Sequence, residues 1–237
     1  MADITEKKEE TIYSRTEQVL GADGVERLKR AHVAVIGVGG VGGFATEALA
    51  RAGVGELTLV DSDRVALSNI NRQIIATHST LGMLKTEAAK QRINDVNPQI
   101  KVNTLPIFYS KDSEQIDLTG FDYVIDAIDS VESKIHLIEE ATRLGVPIIS
   151  AMGAGRKLDP TRFRVSDISK TTTDPLARAV RTRLSRIGIK HLKVVFSDEP
   201  PTAPVADAPG SVSFVPSVMG LILAGEVIKS LAFPKEG

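Results

Sequence analysis

The sequence has 237 residues, of which 42% are hydrophobic and 25% are charged, values that are ordinary for a globular protein with a sizeable core. With a formal net charge of −1, bulk charge argues neither for nor against a nucleic-acid partner, so any such partner would have to be held by a local patch. The absence of cysteine excludes disulfides, zinc sites built on cysteine, a thiolate nucleophile and a persulfide carrier within these residues.

The first 155 residues are predicted to alternate between helices and strands. Residues 1–14 form a leader without the apolar run of a secretory signal, which favours a cytoplasmic protein. The later patterns predict, in chain order, a helix at 16–30, a strand at 32–37, a helix at 39–51 capped by Gly53, a strand at 56–61, a helix at 84–95, a strand at 100–107, a strand at 122–130, a helix at 132–144 and a strand at 146–153. This alternation predicts an α/β fold with a doubly wound, mostly parallel, Rossmann-like sheet, whose ligands bind at the carboxyl ends of the strands.

The residues after 155 follow a different pattern. Strands are predicted at 163–168 and 192–197, on either side of a basic helix at 175–187, and the Pro-, Asp- and Ala-rich residues 197–211 are typical of a mobile surface loop. The apolar stretch after Pro216 is shorter than the ~20 residues that a bilayer requires, so it predicts a buried helix and no membrane span. The expected organisation is a leader and helix at 1–30, a nucleotide-binding core at 31–155 and a C-terminal extension packed on that core at 156–237.

A glycine-rich turn, VIGVGGVGG, follows the first predicted strand. Gly37, Gly39 and Gly42 have the spacing G-x-G-x-x-G. Together with Gly40, they let backbone N–H groups approach a phosphate at a helix N-terminus. Asp61 ends the next predicted strand and could accept hydrogen bonds from ribose hydroxyls. The pattern predicts a nucleotide site without distinguishing NAD from ATP, and its structural alternative is a tight turn that binds no ligand.

Charged residues downstream of the turn favour ATP over NAD. Arg72 and Lys85 supply cations suited to a triphosphate, and Asp129 could hold Mg²⁺ that bridges phosphate oxygens. Each also has a structural alternative, since the two cations could be solvated surface charges and Asp129 could be the N-cap of the next helix. Asp126 is expected on the opposite face of its strand in a structural role, whereas Gly153 falls at the same sheet edge as the nucleotide residues.

The segments RTEQVLG, VIGVGGVGG, LTLVDSD, NINRQ and VIDAID resemble the ThiF/MoeB adenylating enzymes, relatives of the ubiquitin-activating enzymes, over residues 11–155. The resemblance implies an E1-like, Rossmann-type fold, binding of ATP and Mg²⁺, transfer of AMP to a carboxylate, and a homodimer. It implies the following site residues: Gly37, Gly39, Gly40 and Gly42 near the phosphates, Asp61 at the ribose, Asn69, Asn71, Arg72 and Lys85 along the triphosphate, Asp129 at the metal, and Arg15 reaching into the site of the neighbouring subunit. Catalysis is expected to depend on Asp129, Arg72, Lys85 and Arg15.

The C-terminal third, through MGAGRKLDPTRFRVSDISK and GSVSFVPSVMGLILAGEVIK, is similar to the branch of this family that dehydrates threonylcarbamoyladenosine in bacterial tRNA. That similarity implies a tRNA partner carrying the modified adenosine beside its anticodon (t6A37), and it leaves room for sulfur-transfer partner proteins. ATP would activate the side-chain carboxylate, and another atom of the same side chain would close a ring and expel AMP. The missing cysteines agree with this chemistry, because the substrate supplies its own nucleophile. Relatives in this branch often carry a histidine where this chain has Ile75.

Three alternatives stay open on the sequence alone. One is an E1-like adenylyltransferase that activates the C-terminus of a small sulfur-carrier protein and needs no tRNA. Another is a nucleotide-binding module that has lost catalysis. The third is an NAD(P)-dependent dehydrogenase, which would leave Arg72 and Lys85 without a role.

A basic stretch provides a candidate tRNA surface. Six cations and no acid lie between residues 178 and 193: Arg178, Arg181, Arg183, Arg186, Lys190 and Lys193. On the predicted helix the four arginines form a broad basic face that could contact phosphates or could simply be solvated. Arg156 and Lys157, at the ligand edge of the sheet, are expected to contact the anticodon loop. Base stacking would fall to Tyr109, Phe163 or Phe196.

Overall fold

The computed structural model describes residues 10–112, 116–203 and 210–234. The helices and strands follow one another as α1 (Ser14–Arg30), β1 (His32–Ile36), α2 (Gly42–Ala52), β2 (Glu56–Val60), α3 (Lys85–Val96), β3 (Lys101–Leu105), β4 (Tyr123–Asp126), α4 (Val131–Leu144), β5 (Ile148–Ala151), β6 (Phe163–Asp167), α5 (Pro175–Arg186), β7 (Lys193–Ser197) and α6 (Phe214–Ala232). Short 3₁₀ turns connect several of these elements.

The seven strands of the described residues form one sheet in the order β3-β2-β1-β4-β5-β7-β6. Neighbouring strands are parallel, except that β6 runs antiparallel to β7. The central strand β1 places Val33 beside Leu57 of β2 on one side and beside Tyr123 of β4 on the other. The strand order reverses between β1 and β4, which is where doubly wound sheets bind ligands. The predicted doubly wound, mostly parallel α/β fold is confirmed.

Both faces of the sheet are covered by helices, as a parallel sheet requires. Successive residues of β1 point to opposite faces, so Val35 packs with Leu49 of α2 and Leu223 of α6. Ile36 points the other way and packs with Leu137 of α4. These side chains are fully or almost fully buried, which explains why β1 is a continuous apolar run after His32 rather than an alternating one.

Helix α6 packs closely against α2. A Cβ at Gly220 would overlap the carbonyl oxygen of Val41, so only a glycine permits this approach. The helix begins at Phe214, two residues before the start predicted from Pro216, because proline is tolerated in a first turn that has no use for its N–H. Among the described residues, α6 alone is long and apolar enough to cross a bilayer, and 44% of its most apolar window is buried in the protein. Its packing matches the predicted buried helix.

Several predicted boundaries differ from the observed ones. The strand predicted at 122–130 ends at Asp126, so Asp129 lies in the loop that leads to α4. Gly53 adopts a left-handed conformation at the end of α2 and confirms the predicted cap. Strands β6 and β7 continue the sheet beyond β5, so no break in the sheet accompanies the expected boundary near residue 155. Of the predicted loop at 197–211, residues 204–209 lie outside the described residues, as do residues 1–9 of the predicted leader.

Candidate active site

A cavity of about 720 Å³ lies at the carboxyl ends of the central strands. Its lining includes most of the residues predicted to bind a nucleotide, namely Gly37, Gly39, Gly40, Asp61, Asn69, Arg72, Lys85 and Asp129. Gly153, which follows β5, also lines it. Residues from widely separated parts of the sequence therefore meet at the sheet edge that the strand order indicates.

The glycine turn joins β1 to α2 at the cavity floor. Gly37 has a φ of 92°, and a Cβ there would lie 2.7 Å from Ala127 O, so a larger residue could not occupy the position. A Cβ at Gly42 would overlap Gly37 O, and Gly42 does not line the cavity. Gly42 therefore lets the turn close, whereas Gly39 and Gly40 present backbone to the cavity. The N-terminus of α2 lies beside them, where N–H groups and the helix dipole favour an anion.

Asp61 connects the end of β2 to this turn. Its Oδ2 accepts a hydrogen bond from Val38 N–H at 2.8 Å, and its Oδ1 accepts one from Asp63 N–H at 2.9 Å. Lys85 Nζ lies 4.0 Å from Asp61 Oδ2 and donates to Asp63 Oδ2 at 2.7 Å. Lys85 is buried by this arrangement at the start of α3. Asp63 was missed by sequence reasoning, although its place two residues after Asp61 in VDSD is a usable signal.

Arg72 reaches the cavity from the connection between β2 and α3. Its Nη1 donates to Ser68 O at 3.0 Å and to Asn71 Oδ1 at 2.9 Å. Asn71 is exposed, lies outside the cavity lining and donates through Nδ2 to Ser211 O. Asn71 thus positions Arg72, while Asn69 lines the cavity itself. No carboxylate within the described ranges forms an ion pair with Arg72, so its charge is available to a ligand.

Asp129 is exposed in the cavity and has no hydrogen-bond or ion-pair partner among the residues that the structure describes. Asp126, three residues earlier, is fully buried and accepts hydrogen bonds from Lys134 Nζ at 2.7 Å and from Ile128 N–H at 3.1 Å. This arrangement agrees with the structural role expected for Asp126. The described residues contain no cluster of three or more metal-ligating side chains, so a metal at Asp129 would need ligands from phosphate and water.

Gln73 and Ile75 lie next to each other at the base of the same connection. Gln73 is buried and lines the cavity, and its Oε1 has no hydrogen-bond partner among the described residues. Ile75 is buried in the hydrophobic core with 3% exposure. A side chain at position 75 therefore packs under the cavity wall instead of lining the cavity.

The opposite wall of the cavity consists of the loop after β5 and the start of α5. Lys157 donates to Glu199 O at 2.9 Å, and its Nζ lies 4.0 Å from Asp174 Oδ2. Asp174 accepts hydrogen bonds from Gly153 N–H at 3.0 Å and from Ala177 N–H at 3.1 Å. Burial lowers the pKa of the Lys157 ammonium and raises the pKa of the Asp174 carboxyl. Since Lys157 is 3% exposed, its predicted contact with tRNA does not fit the structure.

Two aromatic side chains, Phe108 and Tyr109, also line the cavity. Tyr109 lines it and stacks on His136 with ring centroids 5.8 Å apart, and burial raises the pKa of Tyr109 to about 12. Phe163 and Phe196, the other two aromatics considered for stacking, are buried in the core outside the cavity lining. Phe108 also lines the cavity with 62% exposure and was missed by sequence reasoning. Its position just beyond β3, at the ligand edge of the sheet, could have indicated it.

Two other predicted groups lie outside the cavity. Arg15 is exposed near the start of α1 and does not line the cavity. Of the six predicted basic residues, Arg181 donates to Thr171 O at 2.8 Å and Lys193 pairs with Glu226 at 2.5 Å, so both are held by the protein itself. The exposed basic face of α5 and the loop after it consists of Arg178, Arg183, Arg186 and Lys190. Pro175 lines the cavity, so the helix that carries this face begins at the cavity wall.

The chain is similar to known proteins over nearly its whole length. A tRNA threonylcarbamoyladenosine dehydratase of Bacillus subtilis (strain 168) is 48% identical over 238 residues, which cover 92% of this chain and 94% of that protein. The E. coli tRNA N6-threonylcarbamoyladenosine dehydratase TcdA, solved in complex with AMP and in complex with ATP, has a TM-score of 0.87 in both complexes at 37% and 36% identity. These matches cover 92% of this chain and 92% and 93% of the two solved chains.

A more distant relative represents the sulfur-carrier alternative. The adenylyltransferase and sulfurtransferase UBA4 of Saccharomyces cerevisiae (strain YJM789) is 38% identical, but the match covers 64% of this chain and 34% of that protein. The ThiF family model matches residues 13–236, which include the glycine turn, every residue of the cavity lining and the two C-terminal strands. The chain therefore belongs to the ThiF family.

Proposed function

We propose that this protein is an ATP-dependent enzyme that adenylates the carboxylate of threonylcarbamoyladenosine in tRNA and then closes that side chain into a ring. One observation carries the proposal. The glycine turn, Asp61, Arg72, Lys85 and Asp129 surround one cavity in a chain that is 48% identical to a tRNA threonylcarbamoyladenosine dehydratase. The proposed product differs from the substrate by the loss of one water.

The cavity fits a nucleoside triphosphate better than a dinucleotide. Arg72 has no carboxylate partner among the described residues, so its charge is available to a triphosphate. Lys85, which pairs with Asp63 at the start of α3, lines the same cavity and adds a second cation to it. The unpartnered Oε1 of Gln73 can accept a hydrogen bond from a bound ligand. Gly39 and Gly40 leave the turn open enough for phosphate oxygens to reach backbone N–H groups.

Asp129 is the residue that would hold Mg²⁺ with the nucleotide phosphates. A bound Mg²⁺ would neutralise phosphate charge and lower the barrier to attack on phosphorus. Magnesium retains water and phosphate ligands, so one exposed protein carboxylate fits its usual coordination. The buried Asp126 supports the same loop through its hydrogen bond from Ile128 N–H.

The proposed chemistry needs no nucleophile from the protein. In the first step a carboxylate oxygen of the substrate bonds to the α-phosphorus of ATP, and pyrophosphate leaves. In the second step an atom of the same side chain attacks the acyl carbon, AMP leaves and one N–H proton is lost. The attacking atom is tethered, which gives it a high effective concentration. The sequence contains no cysteine, so no sulfur-transfer protein could form a persulfide or thioester on these residues.

The tRNA is proposed to bind along the exposed basic face of α5. Arg178, Arg183, Arg186 and Lys190 would contact backbone phosphates and thereby place the modified base at the cavity. The proposal extends to a cytoplasmic homodimer in which the exposed Arg15 of each subunit reaches the other subunit's cavity.

Nucleoside mass analysis tests the proposed function. The protein is incubated with Mg²⁺ and tRNA carrying threonylcarbamoyladenosine, with and without ATP, and the tRNA is then digested to nucleosides. We expect the mass of the modified nucleoside to fall by one water only with ATP, and AMP to form in equal amount. Asp129→Ala should abolish both. An unchanged nucleoside mass would contradict the proposal, and formation of an acyl-adenylate on a sulfur-carrier protein without tRNA would favour the alternative.

A further inference from the structure

The cavity has two arginines on different walls. Arg72 lies with Asp61 and Lys85 on the wall that fits the triphosphate, whereas Arg156 lies on the wall formed by the loop after β5. The Arg156 guanidinium makes one long hydrogen bond, 3.5 Å from Nη1 to Thr202 O, and forms no ion pair within the described residues. Arg156 is therefore a second available cation, and it lies on the wall opposite the residues proposed to bind the nucleotide.

The backbone at Arg156 is strained. Its φ is 57°, and Thr173 with a φ of 58° is the other non-glycine residue of the described chain in the left-handed region. Such conformations are unfavourable for residues with a Cβ and persist where the surroundings enforce them, often at functional sites. The Arg156 N–H donates to Gly210 O at 2.9 Å, and Arg156 O accepts from Thr202 N–H at 2.8 Å. The strained backbone is thus fixed from both sides.

A buried charge pair connects the two strained positions. Arg156 immediately precedes Lys157, and Thr173 immediately precedes Asp174. The Lys157 ammonium and the Asp174 carboxylate lie 4.0 Å apart, and each residue is at most 3% exposed. Asp174 also accepts a hydrogen bond from Gly153 N–H. The Lys157–Asp174 pair therefore joins the loop after β5 to the start of α5. These contacts fix the backbone of Arg156 at the cavity wall.

From this arrangement we infer that Arg156 binds the carboxylate of the acceptor, the group that becomes adenylated. The inference rests on the proposed function and names a specificity residue for it. A carboxylate that approaches the α-phosphate is repelled by it, and a guanidinium on the acceptor side offsets this repulsion with two parallel hydrogen bonds. After adenylation the same guanidinium contacts the acyl oxygen, on which negative charge develops during ring closure. A glycine would relieve the strained backbone, but only arginine supplies this group.

The variant Arg156→Gly separates this role from a structural one. Glycine adopts the observed φ without strain, so we expect its melting temperature to equal or exceed that of the wild type. Its ATP affinity should stay within about twofold, because Arg156 lies on the other wall, while tRNA-dependent AMP formation should fall by about 100-fold. Arg156→Lys should recover part of that loss, because it keeps the charge but loses the paired hydrogen bonds. Arg143→Ala, which removes an exposed arginine on α4, is the matched control and should behave as the wild type.

Binding of two tRNAs distinguishes the carboxylate from a backbone phosphate. The wild type should bind tRNA with the threonylcarbamoyl group more tightly than the same tRNA without it, by about tenfold, and Arg156→Gly should abolish that preference. Equal weakening of both tRNAs would assign Arg156 to a phosphate and overturn the inference. Full AMP formation in Arg156→Gly, or loss of its ATP binding, would also overturn it. If the wild type itself leaves the modified nucleoside unchanged, the proposed function fails and the inference fails with it.

Discussion

Lys134 donates a hydrogen bond to Asp126 Oδ2 over 2.7 Å at a point where neither side chain is exposed to solvent. The same ammonium donates to Ala151 O at 3.0 Å, and Ser150 Oγ donates to the Asp126 carboxylate. The pair therefore connects β4, α4 and β5 directly beneath the loop that carries Asp129.

Breaking this buried pair is expected to destabilise the protein strongly. Lys134→Met should lower the free energy of unfolding by about 3–5 kcal/mol, because the Asp126 carboxylate would be left buried without its counter-charge. Adding Asp126→Asn to Lys134→Met should cost less than the sum of the two single changes. Urea denaturation measures both effects. Arg143→Ala, at the exposed pair with Glu140, should cost less than about 1 kcal/mol, and an equal loss in both pairs would contradict the assignment.

The glycines of the turn are expected to separate by role. Gly42→Ala should lower the free energy of unfolding by about 2 kcal/mol or more, since its Cβ would overlap Gly37 O and the turn would have to open. Gly39→Ala should change stability by less than about 1 kcal/mol, because the nearest atom to its Cβ is Gln73 Nε2 at 3.7 Å. Gly39→Ala should weaken ATP binding instead, by about tenfold, because the added methyl lies where phosphate approaches. Thermal denaturation and calorimetric titration with ATP measure the two effects, and a stable Gly42→Ala protein would contradict the packing role.

Glu47 on α2 makes the stability of the protein depend on pH. Burial acts to raise the pKa of its carboxyl, but hydrogen bonds from Arg92 and Arg51 outweigh that effect and hold the pKa below the usual 4.5. A carboxyl whose pKa is lower in the folded state stabilises the protein above pH 4.5, and this contribution is lost as the pH falls through the folded pKa. Glu47→Gln should therefore lower the free energy of unfolding by about 1–2 kcal/mol at neutral pH and by progressively less in acid. Urea denaturation of both proteins between pH 3 and pH 7 measures the difference, and a constant difference would contradict the prediction.

A pair of inactive variants tests the proposed dimer. Asp129→Ala should keep the wild-type melting temperature, since Asp129 has no partner among the described residues, but it should form no AMP. Arg15→Ala should also be inactive if Arg15 serves the other subunit's cavity. Heterodimers of the two variants, isolated by two different tags, should recover about half the wild-type rate, because one of the two cavities is then complete. Absence of recovery, with either variant alone as the control, would contradict the exchange of Arg15 between subunits.

The central sheet is predictable because β1 is a continuous apolar run after His32, and β2 is a short run in which Thr58 is the one polar residue after Glu56. Short, mostly apolar runs of this kind are typical of strands buried on both faces. The positions of β6 and β7 in the sheet could not be predicted. Local periodicity indicates that a strand forms, but it gives neither the neighbouring strand nor the direction. The start of α6 predicted from Pro216 is wrong for a related reason. Proline marks a boundary in sequence, but whether it lies before a helix or inside its first turn depends on the packing around it.

The candidate site also contains some residues that the sequence predicts and others that it does not. Gly37 and Asp61 directly follow β1 and β2, and Lys85 begins α3, so their meeting at one cavity could be anticipated. Lys157 could not be placed, because a lysine in a basic segment suggests solvent exposure and its burial depends on a distant partner, Asp174. The role of Asp174 could not be predicted from the sequence either, because this role depends on the position of α5 beside the loop after β5.

The close packing of α6 on α2 also affects the order in which the chain can become functional. Pro216 of α6 lines the cavity, and Gly220 lies directly against Val41 at the start of α2, yet α6 follows all the other elements along the chain. During synthesis on the ribosome, the glycine turn therefore emerges long before the helix that supports it. The nascent protein acquires a complete nucleotide pocket only after residues 214–232 have left the exit tunnel, so ligand binding reports on a late stage of folding.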